Sequence, residues 1–387
     1  MARQFVFAAL CAGVLVAAPQ AGLGIAVAGG FAVADGRAGA RLHDATTPAT
    51  GDCSLACTPS VPTTTIAGEA LIFLGQYESS GCDGTPTYDW DFGDGTPHSL
   101  GPSPRHVYTA GGDYHWSLTV GLGGGSCTSG ATIRVVSTLP PITNPWPFAY
   151  VVPTSAHKRG FNGTRWLTDL VLTNPGLADA VAAVYFMKGG QDNSAAAAHP
   201  VVVPLRHSVK LVDVVGATFL QSDASGAILV GCDAPLIVTS RTYDDTGAGS
   251  YGQGVEGAPL AQAIGAGQTG WLTQLAQSAD PTTGFRTNLG LACASGECPA
   301  VDVAFYRHDG TWIASATVAL APFGFQQLDK VLATLTPDAI DGGYALVAVP
   351  PLASPVAVRF FAYASVIDNT TGDPINVPAI LAPSGPE

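Results

Sequence analysis

Charge is scarce in this sequence. Only 12% of the 387 residues are charged, and 16 Lys and Arg stand against 29 Asp and Glu, a formal net charge of −13. Binding to nucleic acid needs a basic stripe that neutralises phosphates, and the basic residues here are scattered, so nucleic acid is excluded as a partner. Catalytic signatures are also missing: there is no His-Glu-x-x-His, no Gly-x-Ser-x-Gly elbow and no Gly-rich loop ending in Lys-Ser/Thr. The 8 histidines fall in separate segments without metal spacing. These absences predict no catalytic residues, no metal site and no cofactor, and hence a protein that is not an enzyme. A helical period of 3.6 cannot be followed for more than a turn or two, which excludes a helical body.

Glycine and proline are abundant instead, 47 and 29 residues, and 47% of the chain is hydrophobic. That composition over this length favours two or three β-rich modules. Residues 1–34 read as an export signal, with Arg3, an apolar stretch from Phe5 to Ala18, and small-residue sites at Ala26-Val27-Ala28 and Ala32-Val33-Ala34. Pro19 and the glycines after it stop the apolar run short of the ~20 residues a spanning helix needs. Leu10 in front of Cys11 argues against a lipid anchor. No integral membrane segment is therefore expected in the mature chain, and residues 35–50 read as a flexible leader.

The most specific stretch is Trp90-Asp91-Phe92-Gly93-Asp94-Gly95. Tyr88 to Phe92 alternates polar with aromatic, as a strand buried on one face does, and Gly93-Asp94-Gly95 ends it in a tight turn. Tyr114 to Val120 alternates in the same way, and the glycines from 121 to 125 join it to Thr132 to Val136 as a hairpin. The run Trp90 to Gly95, then His106-x-Tyr108, then Gly111-Gly112-Asp113-Tyr114, resembles the signature of the PKD (polycystic kidney disease) domain. That resemblance covers about Cys57 to Ser137 and implies an extracellular immunoglobulin-like β-sandwich, assigned to residues 51–138. Trp90 and Phe92 read as core, Asp91 and Asp94 as turn-capping side chains, and His106 and Tyr108 as a strand after a loop. A calcium site on Asp89, Asp91 and Asp94 is the sharper alternative, but Leu100 stands where the last EF-hand ligand should fall.

Export gives the cysteines meaning, because disulfides persist in oxidising compartments. Cys53, Cys57, Cys82 and Cys127 belong to places that gather at one pole of an immunoglobulin-like sandwich. Two bridges are expected there, with Cys82–Cys127 the leading pair, although four cysteines permit three connectivities. Cys293 and Cys298 bracket a turn and are expected to staple a hairpin. Cys232 is left over as a small core side chain.

Residues 139–147, Leu139-Pro140-Pro141-Ile142-Thr143-Asn144-Pro145-Trp146-Pro147, read as a stiff, extended linker that holds the next domain at a distance. The chain beyond it contains an internal repeat. Thr168 to Leu172 answers to Thr287 to Leu291, Val184-Tyr185-Phe186 to Val303-Ala304-Phe305, and Gly226 to Val230 to Gly343 to Val347. On the same register Val212-Asp213 matches Leu328-Asp329, and Asp245 matches Asp368. Short apolar runs between turn residues make each copy a β-sandwich, residues 148–262 and 263–382, with a helical excursion within Val209 to Phe219 and Gln326 to Leu335. The pair resembles tandem β-sandwich modules of exported proteins from environmental bacteria, which implies architecture only.

Few side chains remain for chemistry. Asp213 and Asp329 are expected to be turn-formers rather than a carboxylate pair. Arg241-Thr242-Tyr243 with Asp244-Asp245 and nearby Tyr251 could contact sugars or proteins, and the matching stretch Ala364-Ser365-Val366 confines that site to copy one. The sequence thus predicts an all-β, exported, non-catalytic protein for binding, adhesion or spacing at the cell surface, with a protein or carbohydrate partner. The alternative is a secreted hydrolase with a PKD accessory domain and its site in the tandem region.

Overall fold

A computed structural model describes residues 53–160, 163–245, 249–349 and 358–382. The signal segment and leader expected at 1–50 lie outside the described residues. The fold is all-β, with only short helical turns among the described residues.

The first domain holds β1 (Ser54–Cys57), β2 (Thr64–Ile66), β3 (Ala70–Ile72), β4 (Tyr77–Ser80), β5 (Thr87–Asp91), β6 (Arg105–Val107), β7 (Gly112–Leu122) and β8 (Gly125–Val136). A four-stranded sheet, β2-β8-β7-β5, is faced by the pairs β1-β4 and β3-β6. Residues 123 and 124 turn the β7–β8 hairpin, and both take φ above +60°, which glycine accepts without steric cost. Trp90, Leu118 and Ile133 are fully buried between the layers, with Phe73 edge-on to Trp90 at 5.3 Å.

Copy one comprises β9 (Phe148–Arg159), β10 (Arg165–Thr173), β11 (Ala180–Lys188), β12 (His199–Val203), β13 (Ser208–Leu211), β14 (Ala224–Cys232), β15 (Ile237–Asp245), β16 (Ser250–Glu256) and β17 (Ala258–Pro259). Copy two repeats the series as β18 (Thr269–Gln277), β19 (Phe285–Cys293), β20 (Val301–Tyr306), β21 (Trp312–Val318), β22 (Phe325–Leu328), β23 (Ile340–Ala348), β24 (Phe360–Asp368), β25 (Pro374–Pro378) and β26 (Ile380–Leu381). Each has one wall of the order β12-β11-β14-β9 or β21-β20-β23-β18, and another of β13-β10-β15-β16 or β22-β19-β24-β25. A helical turn, Val214–Thr218 or Val331–Thr334, sits at the same point of both copies. In copy one the walls are continuous, because β9 and β10 pair at Arg159↔Arg165 and Lys158↔Trp166.

Strand pairing corrects the register read from the sequence. Leu211 and Ser240 flank Leu170, just as Leu328 and Ala364 flank Leu289. Counting on, Asp213 corresponds to Lys330 rather than Asp329, Arg241 to Ser365, and Asp244 rather than Asp245 to Asp368. Apolar runs tolerate a slip of one residue in an alignment, whereas a ladder does not, since that slip would turn every side chain to the other face.

The two copies are joined face to face. Ala183, Tyr185, Met187 and Leu229 of copy one share a buried cluster with Ala292, Phe325, Phe361 and Tyr363 of copy two. That seam explains why β11 and β24 are buried at every position but the last, while outer strand β15 alternates exposed with buried. Strands covered on both faces lose the period-2 signal.

The linker also departs from expectation. Ile142 is buried, Leu139 and Trp146 pack on the seam cluster, Trp146 Nε1 donates to the Tyr185 hydroxyl at 3.2 Å, and that hydroxyl donates to the Pro140 carbonyl. Its prolines set the backbone, but three apolar side chains bind it to the tandem body instead of holding the domains apart. Thr63 with Asp179 and Arg134 with Asp233 add polar contacts between the first domain and copy one.

Candidate functional site

The signature residues of the first domain form a closed local network. Phe92 stacks on His106 at 4.0 Å between ring centroids, and the buried Tyr108 hydroxyl donates to the Phe92 carbonyl at 2.9 Å. Asp91 accepts from the Gly93 amide at 2.8 Å, and Asp94 accepts from Thr96 and meets His106 Nε2 at 2.8 Å. Gly93 has φ 75°, and a Cβ there would stand 2.2 Å from the His115 carbonyl oxygen, so glycine is required on both counts. Gly95 also takes positive φ. Burial raises the Asp94 carboxyl, but bonds from Thr96 and His106 outweigh it and leave the pKa below its ordinary 3.8. Asp89 is engaged by His98 at 2.8 Å, so each carboxylate of the calcium alternative has a protein partner. Among the described residues, no group of three metal-ligating side chains comes together.

The disulfides are Cys53–Cys82, Cys57–Cys127 and Cys293–Cys298. The leading pair of the sequence reading, Cys82–Cys127, does not form. The antiparallel register Ser54↔Ser80 brings Cys53 and Cys82 together just past the ladder, and Cys57 lies over β8 with its Cα 5.6 Å from that of Cys127. Cys293–Cys298 is not a hairpin staple either, because β19 and β20 belong to opposite walls of copy two and the bridge closes the crossover between them. Cys232 is buried and free, and burial, with Asp233 adding to it, pushes its thiol up to about 12.

Strand alternation divides the Arg241 cluster. Arg241 and Tyr243 share the outer face, with the guanidinium 4.9 Å from the ring centroid and Tyr243 donating to Asp169, itself paired with Lys210 at 2.7 Å. Thr242 and Asp244 point inward and are buried; Asp244 accepts from the Arg165 amide at 2.6 Å, while Tyr251 stands edge-on to Trp166. Asp213 accepts from the Gly216 amide at its helical turn and holds His157 Nδ1 at 2.8 Å, while Arg165 donates to His157 Nε2 at 3.1 Å. Asp329 accepts from the Gln327 side chain at 2.6 Å.

A concave site lies where the copies meet, a cleft of about 350 Å³ lined by both. Copy one contributes Lys158, Arg159 and Trp166, and copy two Arg286, Asp329 and Lys330. The β9–β10 pairing sets Trp166 opposite Lys158 at this edge. Below them, Ser365 donates to Gln253 across the seam at 3.2 Å, and Tyr363, kept protonated by burial, donates to Gln327 at 2.7 Å. Arg286 donates to Asn369 at 2.7 Å. Burial lowers the Arg286 pKa, with Asp329 and Asp368 acting the other way.

Sequence reading missed these residues because they come from separate strands and turns. The available signal was local: His157-Lys158-Arg159 with Arg165-Trp166 is a dense basic and aromatic segment in a chain with few charges.

Fold and site together define a multi-domain β protein with a disulfide-bonded immunoglobulin-like domain ahead of a fused pair of sandwiches. Residues 58–137 match the family model of the PKD domain, so this part of the chain is a PKD domain. A search of curated proteins finds no match. Among solved structures, the chain is similar to one described as "Structural basis for the promiscuous specificity of the carbohydrate-binding modules from the beta-sandwich super family", at 16% identity, covering 86% of this chain and 97% of that one. The TM-score is 0.21, and the likeness carries no argument. Among the described residues, no helix is long and apolar enough to cross a membrane.

Proposed function

We propose that the protein is exported and acts outside the cytoplasmic membrane as a non-catalytic binding protein, with the seam cleft as its ligand seat and the PKD domain as a contact or spacing module. The observation that carries this reading is that side chains from both copies, fixed by a buried apolar interface, converge on one recess. Such preorganisation lowers the ordering cost of binding. Export is supported by the apolar segment Phe5 to Ala18 and by disulfides suited to an oxidising compartment. The partner is a protein or carbohydrate at the cell surface.

One observation favours the rival reading, a secreted hydrolase: the His157–Asp213 pair beside the cleft has the orientation of a general base. Its Nε2, however, faces the Arg165 guanidinium, which blocks proton abstraction there. Both readings are tested by incubating the full chain with extracted envelope polysaccharides and recovering the bound fraction. Retention of unshortened polymer supports binding, and newly formed chain ends that disappear in His157→Ala establish the hydrolase. N-terminal sequencing of the protein from fractionated cells tests export, and an intact Met1 in the cytoplasmic fraction overturns it.

A further inference from the structure

Four basic residues of this acidic chain, drawn from separate stretches of the sequence, are brought to one recess by the fold. Of its 16 Lys and Arg, Lys158, Arg159, Arg286 and Lys330 all line the seam cleft, where Asp329 is a lining carboxylate and Asp368 also acts on Arg286. Lys158 and Arg159 also line an adjoining recess of about 350 Å³ that adds Arg165, His157 and one further carboxylate, Asp223. A concave site walled by cations focuses positive potential even when the net charge of the whole molecule is negative. Arg286 is half-buried there, donates to Asn369 and already has Asp329 and Asp368 near it, so Lys158 and Arg159 at the exposed rim are the cations best placed to meet an incoming anion.

Charge calls for an anion, and the remaining wall narrows its kind. The carboxamides of Asn288, Gln327 and Gln253 and the hydroxyl of Thr242 each hold a protein partner on this wall, and because an amide or hydroxyl has more than one bonding position, a second N–H or lone pair of these groups is what would meet neighbouring hydroxyls on a sugar ring. Trp166 is half-buried at the rim and brings an amphipathic ring of the type that packs on a sugar face. An acidic peptide has the carboxylates but lacks the paired hydroxyls. The cleft volume lies near the lower end for ligand pockets, which suits a short saccharide segment.

We propose that the seam cleft binds an acidic oligosaccharide, with uronate carboxylates held by Lys158, Arg159, Arg286 and Lys330 and one sugar ring against Trp166. The assignment rests on the reading of the protein as a binding protein and goes further by naming the ligand class. The test is calorimetric titration of the full chain with tetragalacturonate, with its methyl ester, in which the carboxylates are neutral, and with a tetraglutamate peptide. Tetragalacturonate is expected to bind, and the ester to bind about ten- to a hundredfold more weakly, the loss that goes with charge-assisted hydrogen bonds.

Lys158 and Arg159 are exposed, so Lys158→Gln with Arg159→Gln leaves folding intact and is expected to weaken tetragalacturonate about tenfold or more. Trp166→Ala is expected to weaken acid and ester alike. Equal affinity for acid and ester, preference for the peptide, or indifference to the double substitution overturns the acidic-saccharide assignment while leaving a binding function in place. Failure of all three probes also overturns it, and the polysaccharide incubation then decides whether the protein binds anything.

Discussion

The two copies of the tandem repeat share strand order and pairing, yet they spend the same faces differently. Copy one's wall β12-β11-β14-β9 is covered on both sides, and Val151, Leu229 and Tyr185 lie in the seam. The corresponding wall of copy two is covered on one side only. Its outer face carries Trp271, Tyr344 and Tyr306 in a stacked column, with successive ring centroids 5.5 and 5.0 Å apart. Conversely, Phe361 of copy two is buried in the seam, and its counterpart Ile237 in copy one is 55% exposed. One topology therefore supports two surface chemistries, and duplication created a seam cleft that neither copy has alone.

The largest expected difference between equivalent positions is at this pair. Phe361→Ala should cost about 3–5 kcal/mol, by removing contacts and leaving a cavity, and Ile237→Ala less than about 1 kcal/mol, as read by urea unfolding. Similar costs at both sites would mean that the copies are not fused in solution.

The turn after the second strand of each copy gives the next comparison. In copy one, buried Asn174 holds it with side-chain bonds to the Ala178 and Val203 carbonyls and the Gly176 amide. In copy two, Cys293 takes that position and bridges to Cys298. Asn174→Ala should cost roughly 2–3 kcal/mol and the Cys293→Ser, Cys298→Ser double variant about 2 kcal/mol, so a disulfide and a buried amide are near-equal solutions. A negligible loss on removing the bridge would break that equivalence.

The helical turns differ less. Asp213 caps its turn through Gly216, whereas Lys330 makes no side-chain cap. Asp213→Ala, which removes the cap and the His157 bond together, should cost about 1–2 kcal/mol, and Lys330→Ala less than that in the same unfolding assay. Smallest is a pH effect. Hydrogen bonds from the Thr371 and Thr370 amides hold the Asp368 carboxyl below its ordinary 3.8. A depressed folded-state pKa gives stability that is present above the unfolded value and lost as pH falls through the folded one, so the loss is expected below about pH 4. Asp368→Asn should flatten acid unfolding slightly, and an unchanged curve would remove this contribution.

Much of the fold was legible because its signals are local. Trp90 to Gly95 combines core aromatics and turn residues within six positions, and no distant information is needed to read them. The repeat was legible from matched apolar runs and misregistered at Asp213 because such runs do not fix a ladder. The seam was hidden, since β11 covered on both faces reads like any apolar strand. The cleft was hidden for a related reason: Lys158, Arg286 and Lys330 are far apart in the chain and converge only through a packing that the sequence states nowhere in one place. Disulfide pairing failed because proximity of cysteines at one end of a sandwich does not choose among partners, whereas the β1–β4 register does.

The cleft exists only if the two copies form one body. Native-state hydrogen exchange in rising urea, followed separately for β11 and β14 in copy one and for β19 and β24 in copy two, tests this most directly. The seam predicts that all four strands lose protection at the same urea concentration and shift together in Phe361→Ala. Strands of one copy opening while those of the other stay protected would contradict it.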